Sequence, residues 1–298
     1  MYAEFKEKLS ALPCPYQENE PMSRHTSFKI GGPADVLITP DSVETFRQVI
    51  RLCDDLSVPY FILGNGTNLL VADTGTRRAV LNTGGLKGLR AVGNTLTCGA
   101  GVKLFDACRA ARDLGLAGLE FAYGIPGFCG GAAYMNAGAY GGEMKDVLQK
   151  CAHITKEGQL SALSGTDLAF AYRRSAYTDH GDVIVSLEMV LTPDDPAAIG
   201  ARMEEWMRRR LEKQPYTEAS AGSVFKRPPG YYAGTLIEQC GLKGRTVGGA
   251  AVSEKHAGFI VNRGGATAED VRRLIDIIQR EVYARSGVTL ECEIKWVD

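Results

Sequence analysis

Residues 124–143, GIPGFCGGAAYMNAGAYGGE, restrict the fold more than any other part of the 298-residue chain. Seven of these twenty residues are Gly, four are Ala, and the only charge is Glu143 at the end. An interior glycine costs a helix or strand about 0.5–1 kcal/mol relative to alanine, so the composition is poorly suited to regular structure. It suits close approach of backbone. A flexible linker would be Ser-rich and polar, which this stretch is not. A tightly folded, largely buried loop is expected, and two readings stay open: a cradle turning peptide N–H groups toward a flat or phosphorylated ligand, or a compact structural turn region.

A chain of 298 residues, 45% hydrophobic and 23% charged with a formal net charge of -1, has the length of about two domains and can bury a substantial core. Its balanced charge carries no sign of a nucleic-acid or membrane-surface partner. No apolar run is long enough for a membrane helix, and MYAEFKEKLS lacks the apolar region of a signal peptide. A cytoplasmic location is therefore expected. The eight cysteines (14, 53, 98, 108, 129, 151, 240, 292) form no C-x-x-C and sit mostly in apolar runs, which predicts buried reduced thiols. With histidines scattered at 25, 153, 180 and 256, no metal site is expected.

Residues 24–35, RHTSFKIGGPAD, read as a short strand ending in Gly-Gly-Pro. Asp41 then opens a helix, capping it with Glu44 three residues on, and Val43, Phe46, Val49, Ile50 and Cys53 recur at helical spacing. A strand at 59–63 runs into Gly64-Asn65-Gly66-Thr67-Asn68 and a second apolar run at 69–72. A dinucleotide fingerprint of the Rossmann type needs a third glycine at a helix start, and position 69 is Leu with β-like sequence after it. The Rossmann reading is rejected. A hairpin turning at Asn65-Gly66 is the bland alternative; the several donors beside two glycines also suit a pyrophosphate.

Short strands follow over 79–101, then an amphipathic helix over 103–114 on Leu104, Phe105, Cys108 and Ala111, stopped by Gly115. Strands are expected near 152–155, 159–163 and 183–191, with the arginine-bearing FAYRRSAY at 170–177 between them. TPDDP at 192–196 marks a boundary region, and Ile199, Met203, Trp206, Met207 and Leu211 make one helical face that ends at Pro215. Arg208 to Arg210 point in different directions around that helix and read as a solvated face. A short helix at 233–240 stops at Gly241, strands fall near 247–252 and 259–261, and Thr267 caps a helix built on Val271, Leu274, Ile275, Ile278 and Val282. Over 289–297, Leu290, Cys292, Ile294 and Trp296 alternate with Glu291, Glu293 and Lys295 as in a strand.

Four separated stretches, HTSFKIGGPAD, LGNGTNLLV, GIPGFCGGAAYMNAGAYGGE and AGSVFKRPPGYYAGTLIEQCGLKG, resemble in sequence and order the UDP-N-acetylenolpyruvoylglucosamine reductase family. These flavoenzymes make UDP-N-acetylmuramic acid for bacterial peptidoglycan. The likeness covers nearly the whole chain and is to the family's shorter type, which lacks a loop carrying an extra tyrosine. Phe128-Cys129 stands where Thr-Val is usual, and Arg24-His25 is a variant lead into Thr26.

The resemblance implies an α+β protein with an FAD-binding fold of the vanillyl-alcohol-oxidase (PCMH) type. Its two subdomains would span 1–78 and 79–195, followed by an α/β UDP-sugar-binding domain over 196–288 and a strand over 289–298 returning toward the active site. It implies non-covalent FAD, held by Leu63, Gly64, Asn65, Gly66, Thr67 and Asn68 and by Gly124, Ile125, Pro126, Gly127, Gly130, Gly131 and Ala133, with Ser27, Ile30 and Gly31 nearby. Covalent attachment through His25 or Cys129 is the alternative. NADPH is the implied co-substrate, and the reaction is reduction of UDP-N-acetylglucosamine enolpyruvate. By position, Arg173 is the catalytic arginine that neutralises the growing enediolate, Glu293 polarises the substrate beside it, and Ser223 supplies the final proton. Tyr140, Lys226, Arg227, Tyr232 and Gln239 match binders of the nucleotide sugar. Only small-molecule partners are implied, with no nucleic acid or membrane, and a monomer is expected.

Without the family, Arg173 and Arg174 read as surface charges, Ser223 as a turn or cap residue and Glu293 as part of a solvated strand face. Two other readings stay open. One is a flavin oxidoreductase of the same fold with a different substrate; the other is a flavin- or UDP-sugar-binding regulator without turnover.

Overall fold

The computed structural model describes residues 2–298 and contains two compact units, each assembled from separate stretches of chain. The first comprises residues up to Glu18, Val36–Asn65 and Arg78–Arg209; the second comprises Asn19–Asp35, Gly66–Arg77 and Arg210–Asp298.

In the first unit, helix Val43–Asp55 buries Phe46, Val49, Ile50 and Cys53, the residues that recur at its turn spacing. Its cap is Ser42 rather than the expected Asp41: the Ser42 hydroxyl accepts from the Thr45 N–H at 3.1 Å, satisfying a donor that has no partner within the helix. Strand Tyr60–Leu63 pairs in parallel with residues 79–82. A five-stranded antiparallel sheet runs in the order Leu160–Ser164, Leu148–Ile154, Val183–Val190, Thr95–Gly99, Leu89–Val92. Helix Leu104–Asp113 turns Leu104, Ala107, Cys108 and Ala111 inward, and Gly115 follows it at φ +67°. Helix Pro196–Lys213, whose residues up to Arg209 belong to this unit and whose last turn belongs to the second, buries Ile199 and Met203 as expected. Toward its end the pattern departs from expectation: Leu211 is 43% exposed, whereas Arg210 is buried and donates to Gln214 Oε1 at 3.1 Å. One residue is a rotation of about 100°, so a small drift of the buried face exchanges these two positions. Arg208 and Arg209 are exposed and paired with Glu205, as a solvated face requires.

In the second unit, a four-stranded sheet runs Ala219–Ser223, Phe259–Asn262, Ala250–Val252, Thr246–Val247. Helix Ala268–Ser286 buries Val271, Leu274, Ile275, Ile278 and Val282, and Thr267 with Asp270 forms the capping box at its start. Helix Ala233–Gln239 is followed by Gly241 at φ +70°. The strand expected over 24–35 does not form. Met22–Arg24 is a short 3₁₀ turn and the strand is Pro33–Ile38, because Lys29 at φ +55° and Gly31 at φ +136° break the extended path between them. A Cβ on Gly31 would lie 2.8 Å from the Val71 Cβ, so this bend brings backbone against side chain where only glycine fits. The expected strand over 289–297 is shortened to Lys295–Val297, which pairs in parallel with Leu69–Val71. Leu290 and Ile294 are buried, but the alternation then slips, leaving Trp296 45% exposed and Val297 buried.

All eight cysteines are free thiols. Burial pushes Cys14 up to about 11 and Cys53 and Cys151 up to about 12, so they remain protonated at neutral pH. No helix among the described residues is long and apolar enough to cross a membrane.

Candidate active site

In the first unit, Leu63 ends its strand fully buried, and its carbonyl accepts from the Thr83 hydroxyl at 3.3 Å. A Cβ on Gly101 would lie 2.1 Å from the Thr83 carbonyl oxygen, and the Cys129 and Gly130 N–H groups donate to Val102 and Ala100 at 2.8 and 2.9 Å. The strand end, two glycine turns and the start of the glycine-rich stretch are thus stacked backbone on backbone. That stretch is not wholly loop: Cys129–Tyr134 forms a short helix with Phe128 before it. Its glycines divide into two kinds. Gly130 is packed, its added Cβ falling 2.8 Å from the Ala100 Cβ, whereas an added Cβ on Gly64 or on Gly131 meets nothing within 4 Å. Open space over exposed glycine backbone is what a flat or phosphorylated ligand needs.

Of the other expected cofactor residues here, Ala133 is in the core, Gly124 is buried at φ +85°, Ile125 and Gly127 are half-buried, and Pro126 and Asn65 are exposed. Cys129 is in the core, and its thiol is held well above the ordinary range by a hydrogen bond with Cys98 and by burial. That removes it as a covalent attachment point, since attachment needs an accessible thiolate.

Arg173 belongs to the same unit and sits at φ +56°, a left-handed conformation that arginine rarely adopts. The turn is closed by Ala171 N to Arg174 O at 3.0 Å and the reverse bond at 3.2 Å, and the guanidinium carbon lies 5.2 Å from the centre of the Tyr172 ring. Such strain, of order 1–3 kcal/mol, persists where surroundings impose it and collects at functional sites. Tyr140 is also left-handed, at φ +53°, and its ring stacks on Trp206 at 4.6 Å with 8° between planes.

The second unit brings together residues far apart in sequence. The Asn65-Gly66 turn is not a hairpin: the strand before it pairs with 79–82 and the one after it with Lys295–Val297, both in parallel. Gly66 is fixed at φ +63° against the backbone of His25, whose oxygen lies 2.0 Å from where a Cβ would stand, and its own carbonyl accepts from Ser27 N at 3.1 Å. The Ser27 hydroxyl donates to Ser220 O at 2.6 Å, tying this loop to the strand that carries Ser223. His25 lies 3.0 Å from Glu20 through its Nε2. Ile30 is buried in the apolar core, which leaves only its backbone for any ligand.

Ser223 is half-buried at the end of strand Ala219–Ser223, after a register shift between Ser220 and Ser223 that includes Gly222 at φ +79°. A bulge of this kind re-aims the side chain that follows it. Glu293 is beside it: Glu293 N donates to Val224 O at 2.7 Å, and Lys226 N to Glu291 O at 2.8 Å. Asn68 braces the same segment from the other side, donating from Nδ2 to Glu293 O at 3.1 Å and accepting from Lys295 N at 2.9 Å. The solvated-face reading of Glu293 is corrected, because the residue is half-buried while Glu291 and Lys295 are exposed. The Lys226 ammonium is 2.9 Å from Glu291, the Arg227 guanidinium lies 4.1 Å from the Tyr232 ring centre, and Gln239 is exposed on its helix.

Residues 214–297 match the C-terminal domain of UDP-N-acetylenolpyruvoylglucosamine reductase, and residues 34–164 match an FAD binding domain. The chain is 46% identical over 280 residues to UDP-N-acetylenolpyruvoylglucosamine reductase of Syntrophomonas wolfei, covering 94% of each. It is 48% identical over 279 residues to the protein of that name from Caldanaerobacter subterraneus, covering 94% of this chain and 92% of the relative. The chain belongs to the UDP-N-acetylenolpyruvoylglucosamine reductase family.

The solved reductase from Thermus caldophilus superposes with a TM-score of 0.83 at 34% identity, over 96% of this chain and 99% of that one. A berberine bridge enzyme shares the fold alone, with a TM-score of 0.50 at 14% identity over 66% of this chain and 44% of its own. As a member of the reductase family, this chain is a flavin oxidoreductase of peptidoglycan precursor synthesis, with the FAD-binding fold of the vanillyl-alcohol-oxidase type. The open backbone at Gly64 and Gly131 fits that cofactor.

The two kinds of glycine can be told apart. Gly131→Ala removes a helix glycine without a clash, so the apoprotein should keep or slightly raise its melting temperature. Its methyl group would occupy ligand space, and FAD affinity should fall by roughly 5- to 100-fold, the effect of about 1–3 kcal/mol of overpacking. Fluorescence titration of apoprotein with FAD checks this; unchanged affinity would take Gly131 out of the cofactor site.

Proposed function

We propose that this chain reduces UDP-N-acetylglucosamine enolpyruvate to UDP-N-acetylmuramate with NADPH as the electron donor. FAD bound at the glycine-rich backbone supplies the two-electron chemistry that links NADPH to the enolpyruvyl group. Residues of the chain do the rest. Arg173 presents a planar fork suited to the substrate carboxylate, where charge accumulates as the double bond is reduced. Glu293 polarises the same group, and Ser223 delivers the proton to the carbon left as an enol. Lys226, Arg227, Tyr140, Tyr232 and Gln239 hold the nucleotide sugar; for Lys226 this means exchanging Glu291 for a phosphate oxygen, both being anions on the same ammonium.

The observation that carries this reading is the common bracing of Ser223, Glu293 and the Gly66–Asn68 loop in one unit, although they lie more than two hundred residues apart at the extremes. A proton donor and a polarising carboxylate beside a pyrophosphate-type loop have a use in this reaction. A binding regulator would need neither. We further read the protein as a cytoplasmic monomer acting on small molecules, with FAD-binding subdomains over 1–78 and 79–195, a substrate domain over 196–288 and a returning strand over 289–298.

The test is spectroscopic. Under exclusion of oxygen, the purified yellow protein should bleach on addition of NADPH and regain its colour when the enolpyruvyl sugar is added. Bleaching without recovery would assign a different substrate, and a protein that binds flavin but does not bleach would be a non-turning-over binder.

A further inference from the structure

The glycine-rich stretch contains one amide side chain, Asn136, and it is fully buried at φ +44°. Its amide is used on every side: Nδ2 donates to Glu143 Oε2 at 3.0 Å and to Ala171 O at 3.1 Å, and Oδ1 accepts from Lys145 N at 3.0 Å. Ala171 opens the tight turn that holds Arg173 in its left-handed conformation. The far end of that turn is tied to the same place, since the buried Ser175 hydroxyl donates to Tyr134 O at 2.8 Å. Residues 134–136, at the C-terminal end of the glycine-rich helix, therefore clamp both ends of the arginine turn.

We infer that Asn136 is a positioning residue for Arg173, setting the guanidinium in register with the flavin-binding backbone, and that Glu143 is the anionic partner through which the clamp holds that charge. The inference rests on the proposed role of Arg173. A buried amide satisfied at all its groups is rigid, and a truncated one leaves a carbonyl and a carboxylate short of a donor. Glu143 suits the part assigned to it. Hydrogen bonds from Lys145 and Asn136 lower its carboxyl below the usual range, with the charges of Lys145 and Arg173 acting in the same direction, so it is ionised when the enzyme works.

The experiment is a double-mutant cycle on the flavin-loaded full chain, read by stopped-flow in each half-reaction. Asn136→Gly tolerates the backbone angle and removes the side chain with its amide. It should slow reoxidation by the enolpyruvyl sugar roughly 10²-fold, the scale of a catalytic group displaced by about 1 Å. Reduction by NADPH and flavin content should be unchanged. In an Arg173→Ala background, Asn136→Gly should slow reoxidation no further, because the clamp then has nothing to hold. Glu143→Gln keeps the shape while removing the charge, and should slow the same half-reaction alone; it serves as the test if Asn136→Gly does not fold. Equal slowing of both half-reactions, or effects of Asn136→Gly and Arg173→Ala that multiply, would overturn the clamp. Full-rate reoxidation in Arg173→Ala alone would instead overturn the role of Arg173, and the clamp with it.

Discussion

Ser223→Ala should leave reduction of the bound flavin by NADPH at its normal rate and slow reoxidation by the enolpyruvyl sugar by roughly 10²–10⁴, the usual worth of a positioned general acid. A serine hydroxyl is a poor acid unaided. Its use here depends on where it sits: Ser223 follows the bulge, where the strand regains its pairing opposite Phe259, and Glu293 is carried to the adjacent Val224 by a 2.7 Å backbone bond. Removing one oxygen from a half-buried position leaves the sheet intact, so the melting temperature should move little. Single-turnover absorbance changes followed separately for the two half-reactions decide the matter. If both slow alike, Ser223 is structural and the proton comes from elsewhere.

Arg173→Ala should cost about 10²–10³ in the same half-reaction, as loss of one group that stabilises developing charge does. Here the structure adds a sign to the stability effect. Alanine is no more at ease at φ +56° than arginine, whereas Arg173→Gly would relieve the strain. Arg173→Gly should therefore be the more stable of the two variants, by about 1 kcal/mol, while both lose reoxidation equally. Arg173→Lys tests the fork itself: a point charge of the same sign cannot make the paired, planar contact with a carboxylate. Reoxidation at the original rate in Arg173→Lys would reduce the role to charge alone, and an unchanged rate in Arg173→Ala would end it.

Local order was legible wherever one periodic face had to be buried. Helices Val43–Asp55, Leu104–Asp113 and Ala268–Ser286 could be read from spacing because the same few residues both define the helix face and fill the core. The failures share a cause as well. Asn65-Gly66 has the composition of a hairpin turn, but turn propensity is worth less than the pairing that each flanking strand finds elsewhere, one with 79–82 and the other with Lys295–Val297. Leu211 and Arg210 exchanged places because helical periodicity predicts a face only to within one residue near a helix end. Asn136 carries almost no local signal. The only signal it offered was being the one amide side chain in a run of glycine and alanine.

For the site, it is the resemblance to the reductase family, carried by four stretches in order, that nominates Arg173, Ser223 and Glu293; by residue type alone they read as a surface charge, a turn serine and part of a strand face. Composition and periodicity picked out the helix faces that fill the cores, and the leucine at position 69, where a third glycine is required, ruled out a Rossmann nucleotide fold. They could not say that residues 19–35 and 66–77 fold with the C-terminal third of the chain, nor that Asn68 would brace Glu293, nor that Asn136 would grip the turn of Arg173. Those facts are hydrogen bonds between segments distant along the chain. Each depends on where many apolar contacts have already brought the backbone, and no local pattern encodes that.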